Sequence, residues 1–125
     1  MNIPSLLGWA TVIFFLLALS NPLMKLLKKN KAPLGGLQTF LIKNHKLFGF
    51  LATLSMMAHG FLQFNRVGFI QSGALAAGFL LLQGLLGNLV ARAKKDQKDP
   101  LLIAHKAVGM MLLFAILIHV MTMTT

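Results

Sequence analysis

Four apolar runs, each long enough to cross a bilayer, leave this chain almost no choice of architecture. They cover about residues 3–27, 39–64, 67–90 and 100–123 of 125. A spanning helix needs about 20 mostly apolar residues, and in lipid every backbone polar group must be satisfied within its own segment. Only 11% of the residues are charged, against about a quarter in a soluble domain, so no separate soluble domain fits. The predicted fold is all-α. It is a single integral membrane domain over residues 1–125, a transmembrane four-helix bundle running up-down-up-down.

The first run is read as a retained helix. Ala18-Leu19-Ser20 mimics a cleavage site, but no Lys or Arg precedes the run, as a signal peptide would require. Asn21-Pro22 is expected to kink the helix or break its last turns. Pro33 and Gly35-Gly36 mark a turn after it. Asn65-Arg66 makes the next connection very short, predicting a tight antiparallel hairpin of spans two and three. Asp99-Pro100 reads as an N-cap followed by a first-turn proline for span four.

The formal charge is +10, with 12 Lys and Arg against two acids. Nucleic acid is not the implied partner, because the cations sit between the apolar runs. Lys25, Lys28, Lys29, Lys31, Lys43 and Lys46 flank the first loop, and Arg92, Lys94, Lys95, Lys98 and Lys106 flank the third. Arg66 alone marks the opposite side. The positive-inside rule then puts both basic loops in the cytoplasm and both termini outside, with a bacterial cytoplasmic membrane as the expected location. Cysteine is absent, which excludes disulfides, iron–sulfur clusters and covalently attached haem.

All four histidines fall in two matching stretches. Asn44–Gly60 carries His45 and His59, and Ala104–Val120 carries His105 and His119, both pairs fourteen residues apart. Fourteen residues close four helical turns to within about 40° and rise roughly 21 Å. Each pair therefore lies on one helix face. Each first histidine is followed by Lys (Lys46, Lys106) and, four residues on, by Gly (Gly49, Gly109). Spans two and four run parallel in the predicted topology. His45 and His105 are then level near the cytoplasmic side, and His59 and His119 are level nearer the outside.

Histidine within a membrane span is a functional signal by default. One such residue is as readily explained by a hydrogen bond to a neighbouring helix; four in two repeats are not. Zinc asks for tetrahedral N, S or O ligands, and each level offers only two imidazoles. A porphyrin iron asks for two axial ligands, which facing helices of a bundle supply. Two levels predict two haems, stacked between helices 2 and 4. Gly49 and Gly109 would let a porphyrin plane approach the backbone. Lys46 and Lys106 could pair with the inner propionates, although the positive-inside bias explains them equally well. Gly68, Gly73, Gly78, Gly84 and Gly87 in span three serve either close helix packing or space for a flat cofactor. Met56, Met57, Met110 and Met111 read as packing.

Two His pairs of this spacing on the second and fourth spans of a four-helix unit, each with Gly after its first His, resemble the haem-binding half of cytochrome b, the membrane subunit of quinol–cytochrome c oxidoreductases. The matching motifs amount to two seventeen-residue stretches. The resemblance implies two b-type haems with axial pairs His45/His105 and His59/His119. It also implies transmembrane electron transfer and membrane lipid, with a redox partner protein or quinone, as company. The chain departs from that family in stopping at four spans and in lacking its proline- and glutamate-containing quinol motif. Asp96 and Asp99 are the only acids, so no carboxylate within a span is available for quinol deprotonation.

The expectation is thus a dihaem cytochrome, an electron-transfer protein or oxidoreductase subunit rather than a stand-alone enzyme; oligomerisation stays open. The competing classes are a haem-free membrane scaffold or metal-handling protein, which would be colourless, and a haem-dependent membrane reductase of quinone, ferric iron or superoxide. The inner site, beside Lys46 and Lys106, is expected to hold the haem of higher potential.

Overall fold

The computed structural model describes residues 2–30 and 35–124. Lys31 and Pro33 of the first basic turn lie outside the described residues. The chain is all-α, with helices α1 (Ile3–Lys29), α2 (Gly36–Lys43), α3 (His45–Val67), α4 (Gln71–Arg92) and α5 (Lys95–Thr124). Of these, α1, α3, α4 and α5 are long and apolar enough to cross a membrane. Large side chains such as Phe61, Phe69, Ile103 and Phe114 point outward and are more than half exposed. Water would penalise such a surface, whereas hydrocarbon does not. The chain is an integral membrane protein.

The ends of α1 are set locally. The side chain of Asn2 accepts the Ser5 N–H at 3.0 Å, satisfying a first-turn donor that the helix cannot. The helix then runs unbroken through Pro22 to Lys29, so the expected break does not occur. Lys28 and Lys29 occupy its last turn, where cations complement the helix dipole.

The second predicted span is not one helix. It is interrupted at Asn44 (φ −99°, ψ 17°), one residue before His45. The Asn44 N–H donates to the Phe40 carbonyl at 3.1 Å, and its side-chain amide donates to the same oxygen at 2.9 Å. Short polar side chains that bond back onto the backbone compete with helix continuation in this way. The carbonyl of Ile42, in the last turn of α2, accepts the amide of Asn21 on α1 at 3.3 Å. Gln38 of α2 donates to the Met24 carbonyl at 3.2 Å. Leu41 and Phe48 pack with Ala18 and Met24 of α1 into a buried cluster. Rings of Phe40 and Phe48 meet edge to face at 5.8 Å, the favoured aromatic geometry. The polar pair and the cluster fix α2 against α1 and so place the start of α3.

At the other end of α3, Gly68 takes φ +82° and donates its N–H to the Phe64 carbonyl at 3.0 Å. This left-handed cap suits a residue without a Cβ. It moves the start of the third span to Gln71, later than hydropathy suggested. The fourth span starts earlier than Asp99-Pro100 predicted: α5 begins at Lys95, with Asp96 in its first turn and Pro100 inside. Proline that close to the start removes only one backbone hydrogen bond.

The contacts divide the chain into two compact units, Met1–His59 and Gly60–Thr125. Each is a helical hairpin with one histidine pair. In the first, His45 meets Ala18 and His59 meets Pro4, so α3 runs antiparallel to α1. In the second, His105 faces Gly87 and His119 faces Gly73, so α5 runs antiparallel to α4.

Candidate functional site

The histidines of the first unit are built by α1. At 2.8 Å, the Nδ1 of His45 meets the carbonyl oxygen of Ala18. That oxygen would ordinarily accept the N–H of residue 22, four positions on, but residue 22 is proline and has none. Pro22 thus leaves an acceptor on the face of α1 that meets His45. The Nδ1 of His59 lies 2.7 Å from the Pro4 carbonyl oxygen, in the first turn of α1. A carbonyl only accepts, so both Nδ1 atoms carry the proton. In the neutral ring the lone pair then sits on Nε2.

Glycine makes the second contact possible. A Cβ on Gly8 would lie 2.9 Å from Cε1 of His59, inside any tolerable carbon contact. The imidazole edge lies where the side chain of any other residue would stand.

The second unit repeats the device with different partners. A Cβ on Gly73 would stand 3.1 Å from Cε1 of His119, and one on Gly87 would stand 3.3 Å from Cε1 of His105. The hydroxyl of Ser72 lies 3.0 Å from His119 Nδ1. The amide nitrogen of Gln83 lies 3.4 Å from His105 Nε2; an amide N–H only donates, so here Nε2 accepts. All four rings are half-buried.

The other predicted site residues divide. Gly109 is buried, and a Cβ there would lie 2.9 Å from the Gln83 amide nitrogen. Its missing side chain makes room for an amide. Gly49 has nothing described within 4 Å of its Cβ position, so the space above it is open. Lys46 and Lys106 are exposed, each beside the first histidine of its unit. The structure brings His45, His59, Gly49 and Lys46 together in one unit and His105, His119, Gly109 and Lys106 in the other.

Sequence reasoning missed the partner helices. Gly8, Ser72 and Gln83 had no role in it, Ala18 and Pro22 were read only for cleavage and for a helix kink, and Gly73 and Gly87 had only a general role in packing or clearance. A signal was present. Gly73 and Gly87 are fourteen residues apart, as are Gly8 and Pro22, the same interval as the histidines they oppose.

Among the described residues no three His, Cys, Asp or Glu side chains gather as a metal-ion cluster does. The available donors are single imidazoles, each braced by a neighbouring helix. Comparison with protein-family models, curated proteins and solved structures finds no match. The likeness to cytochrome b therefore rests on the two histidine stretches themselves.

Proposed function

We propose that this chain is a transmembrane electron carrier of the b-type cytochrome class, holding two haems through His45/His105 and His59/His119. The supporting observation is the bracing of the histidines. An imidazole that ligates a metal through Nε2 characteristically donates Nδ1–H to a carbonyl, which fixes its tautomer, aims the ring and raises its basicity. His45 and His59 each make that bond to a carbonyl of α1. Both bonds use the same ring nitrogen, fourteen residues apart on α3.

The residues fit the group. A porphyrin iron needs only two axial nitrogens, and imidazoles are the donors present. The open space over Gly49 suits a flat ring near the backbone. At the corresponding place in the second repeat, the Gln83 amide stands over Gly109 and would have to move.

Haem, when bound, supplies one-electron exchange between ferric and ferrous iron. The rest falls to the chain. The Nδ1–H bonds hold the imidazoles in register, and the apolar helices exclude water. Lys46 and Lys106 offer cations to propionates at the basic end and favour the reduced inner site. Basic loops in the cytoplasm would set the two levels one above the other across the membrane. Complete transfer across it would work against or with the potential at about 2.3 kcal/mol per 100 mV. Asp96 and Asp99 lie in the first turns of α5 and are exposed, so proton uptake from a quinol would have to come from a partner.

The test is a visible spectrum of the detergent-purified protein, oxidised and dithionite-reduced, with pyridine haemochrome quantification. Two haems b per chain with low-spin bands are expected. A folded but colourless protein, made with haem supplied, would defeat the reading.

Pro22 provides a finer check. In Pro22→Ala, an N–H returns to compete for the Ala18 carbonyl, so the His45 Nδ1–H bond weakens and the ring becomes a poorer donor. The inner haem should titrate at a more positive potential, while the outer haem keeps its own. An unshifted inner potential would mean that the freed carbonyl plays no part.

A further inference from the structure

The two hairpins share a layout. Gly73 and Gly87 of α4 correspond, 65 positions on, to Gly8 and Pro22 of α1. By the same displacement Gln83 stands where α1 has Ala18. In the first hairpin the Ala18 carbonyl holds Nδ1 of the inner histidine, leaving the lone pair on Nε2. In the second, the Gln83 side chain engages Nε2 itself. Three further observations bear on it. The amide is half-buried between α4 and α5, and Gly109 supplies the room it occupies. Its oxygen, Oε1, is buried without a hydrogen-bond partner, a state that costs free energy. At the outer histidine of the same helix the geometry differs, because the Ser72 hydroxyl lies 3.0 Å from Nδ1 of His119 and not from its Nε2.

We infer that Gln83 is a positioning residue that holds the coordinating nitrogen of His105 in the cofactor-free chain, and that any iron entering the inner level must first displace it. An imidazole nitrogen has one in-plane lone pair. It can accept the amide N–H or bind iron, not both at once. The exchange is a ligand substitution with no change of oxidation state: an N–H···N bond opens and an N–Fe bond forms. The lost N–H···N bond opposes loading. The inner level therefore fills after the outer one, whose His119 is held at Nδ1 by Ser72 instead. This inference rests on the haem reading for its loading step but not for the amide contact.

The test has two parts, each on the whole chain in detergent. First, ring-nitrogen NMR of His105 is compared in cofactor-free wild type, Gln83→Leu and Gly109→Ala. In Gly109→Ala the new methyl group would displace the amide, a flexible side-chain end, at little cost to the fold. The His105 Nε2 resonance should move from its hydrogen-bonded position in both variants, with the other three histidines unmoved. Second, haemin is titrated into a His59→Ala background, which leaves only the inner level. Adding Gln83→Leu should tighten binding about fivefold to tenfold, the worth of one hydrogen bond. An unmoved His105 resonance in both variants overturns the inference, as does haemin binding that Gln83→Leu leaves unchanged or weakens. If the ring resonance responds but wild type binds no haemin, the haem reading falls, and the loading step falls with it. The amide contact then stands on the resonance alone.

Discussion

His59→Ala is expected to lose one of two haems, and His119→Ala is expected to lose the same one. An axial pair cannot hold low-spin iron with one imidazole missing, so the two variants should have superimposable reduced spectra at half the wild-type haem content. His45→Ala and His105→Ala should form the complementary couple. Redox titration of the four variants would sort them. The haem that survives in the His59 and His119 variants should be the more oxidising one, because Lys46 and Lys106 adjoin His45 and His105 and a nearby positive charge favours the reduced iron. Spectra that group His59 with His45 would mean that each hairpin binds within itself and would defeat the cross-repeat pairing. A more oxidising outer haem would defeat the electrostatic argument alone.

The second large effect belongs to glycines that touch no cofactor in this reading. Gly8→Leu places a branched side chain where the His59 ring now lies, the first new atom 2.9 Å from Cε1. Helix backbone cannot yield as a side chain can, so the imidazole must leave the Pro4 carbonyl. Overpacking of this kind costs about 1–3 kcal/mol, or roughly fivefold to more than a hundredfold in affinity for the outer haem. Gly73→Leu should act alike through His119. Gly84→Leu is the control, since nothing described lies within 4 Å of its Cβ position. Haem content and outer-haem band intensity would be measured beside helical circular dichroism. Loss of the outer haem in the first two variants, with helix content kept, is expected. Equal effects at Gly84 would show that span glycines act only through general packing.

Much of the architecture is legible in the chain because bilayer thickness and backbone hydrogen bonding admit few solutions. Four runs of suitable length and two intervening basic loops suffice to predict helices and their number of crossings. Helix ends were less legible, because they depend on which polar group satisfies which carbonyl. The Asn44 side chain bonds back to Phe40 and splits the second span, while Pro100 is tolerated inside α5 since it forgoes a single bond near the start. Neither outcome follows from hydropathy.

The candidate site divides along the same line. Its histidines announce themselves, since a fixed interval on a helix face is a one-dimensional property and ionisable groups are rare in spans. Their braces are a two-helix property. Pro22 matters only because the Ala18 carbonyl it frees lies opposite His45, and Gly8 matters only because His59 presses on it. Gly109 shows the limit most clearly: its sequence position suggested clearance for a porphyrin, whereas the space holds the amide of Gln83. By itself the sequence determined an all-α chain with four membrane-length helices and two equally spaced pairs of imidazoles, because helix periodicity and lipid solvation act locally. Only the tertiary structure decided which ring nitrogen keeps its lone pair, because that depends on the hydrogen-bond partner a neighbouring helix happens to present.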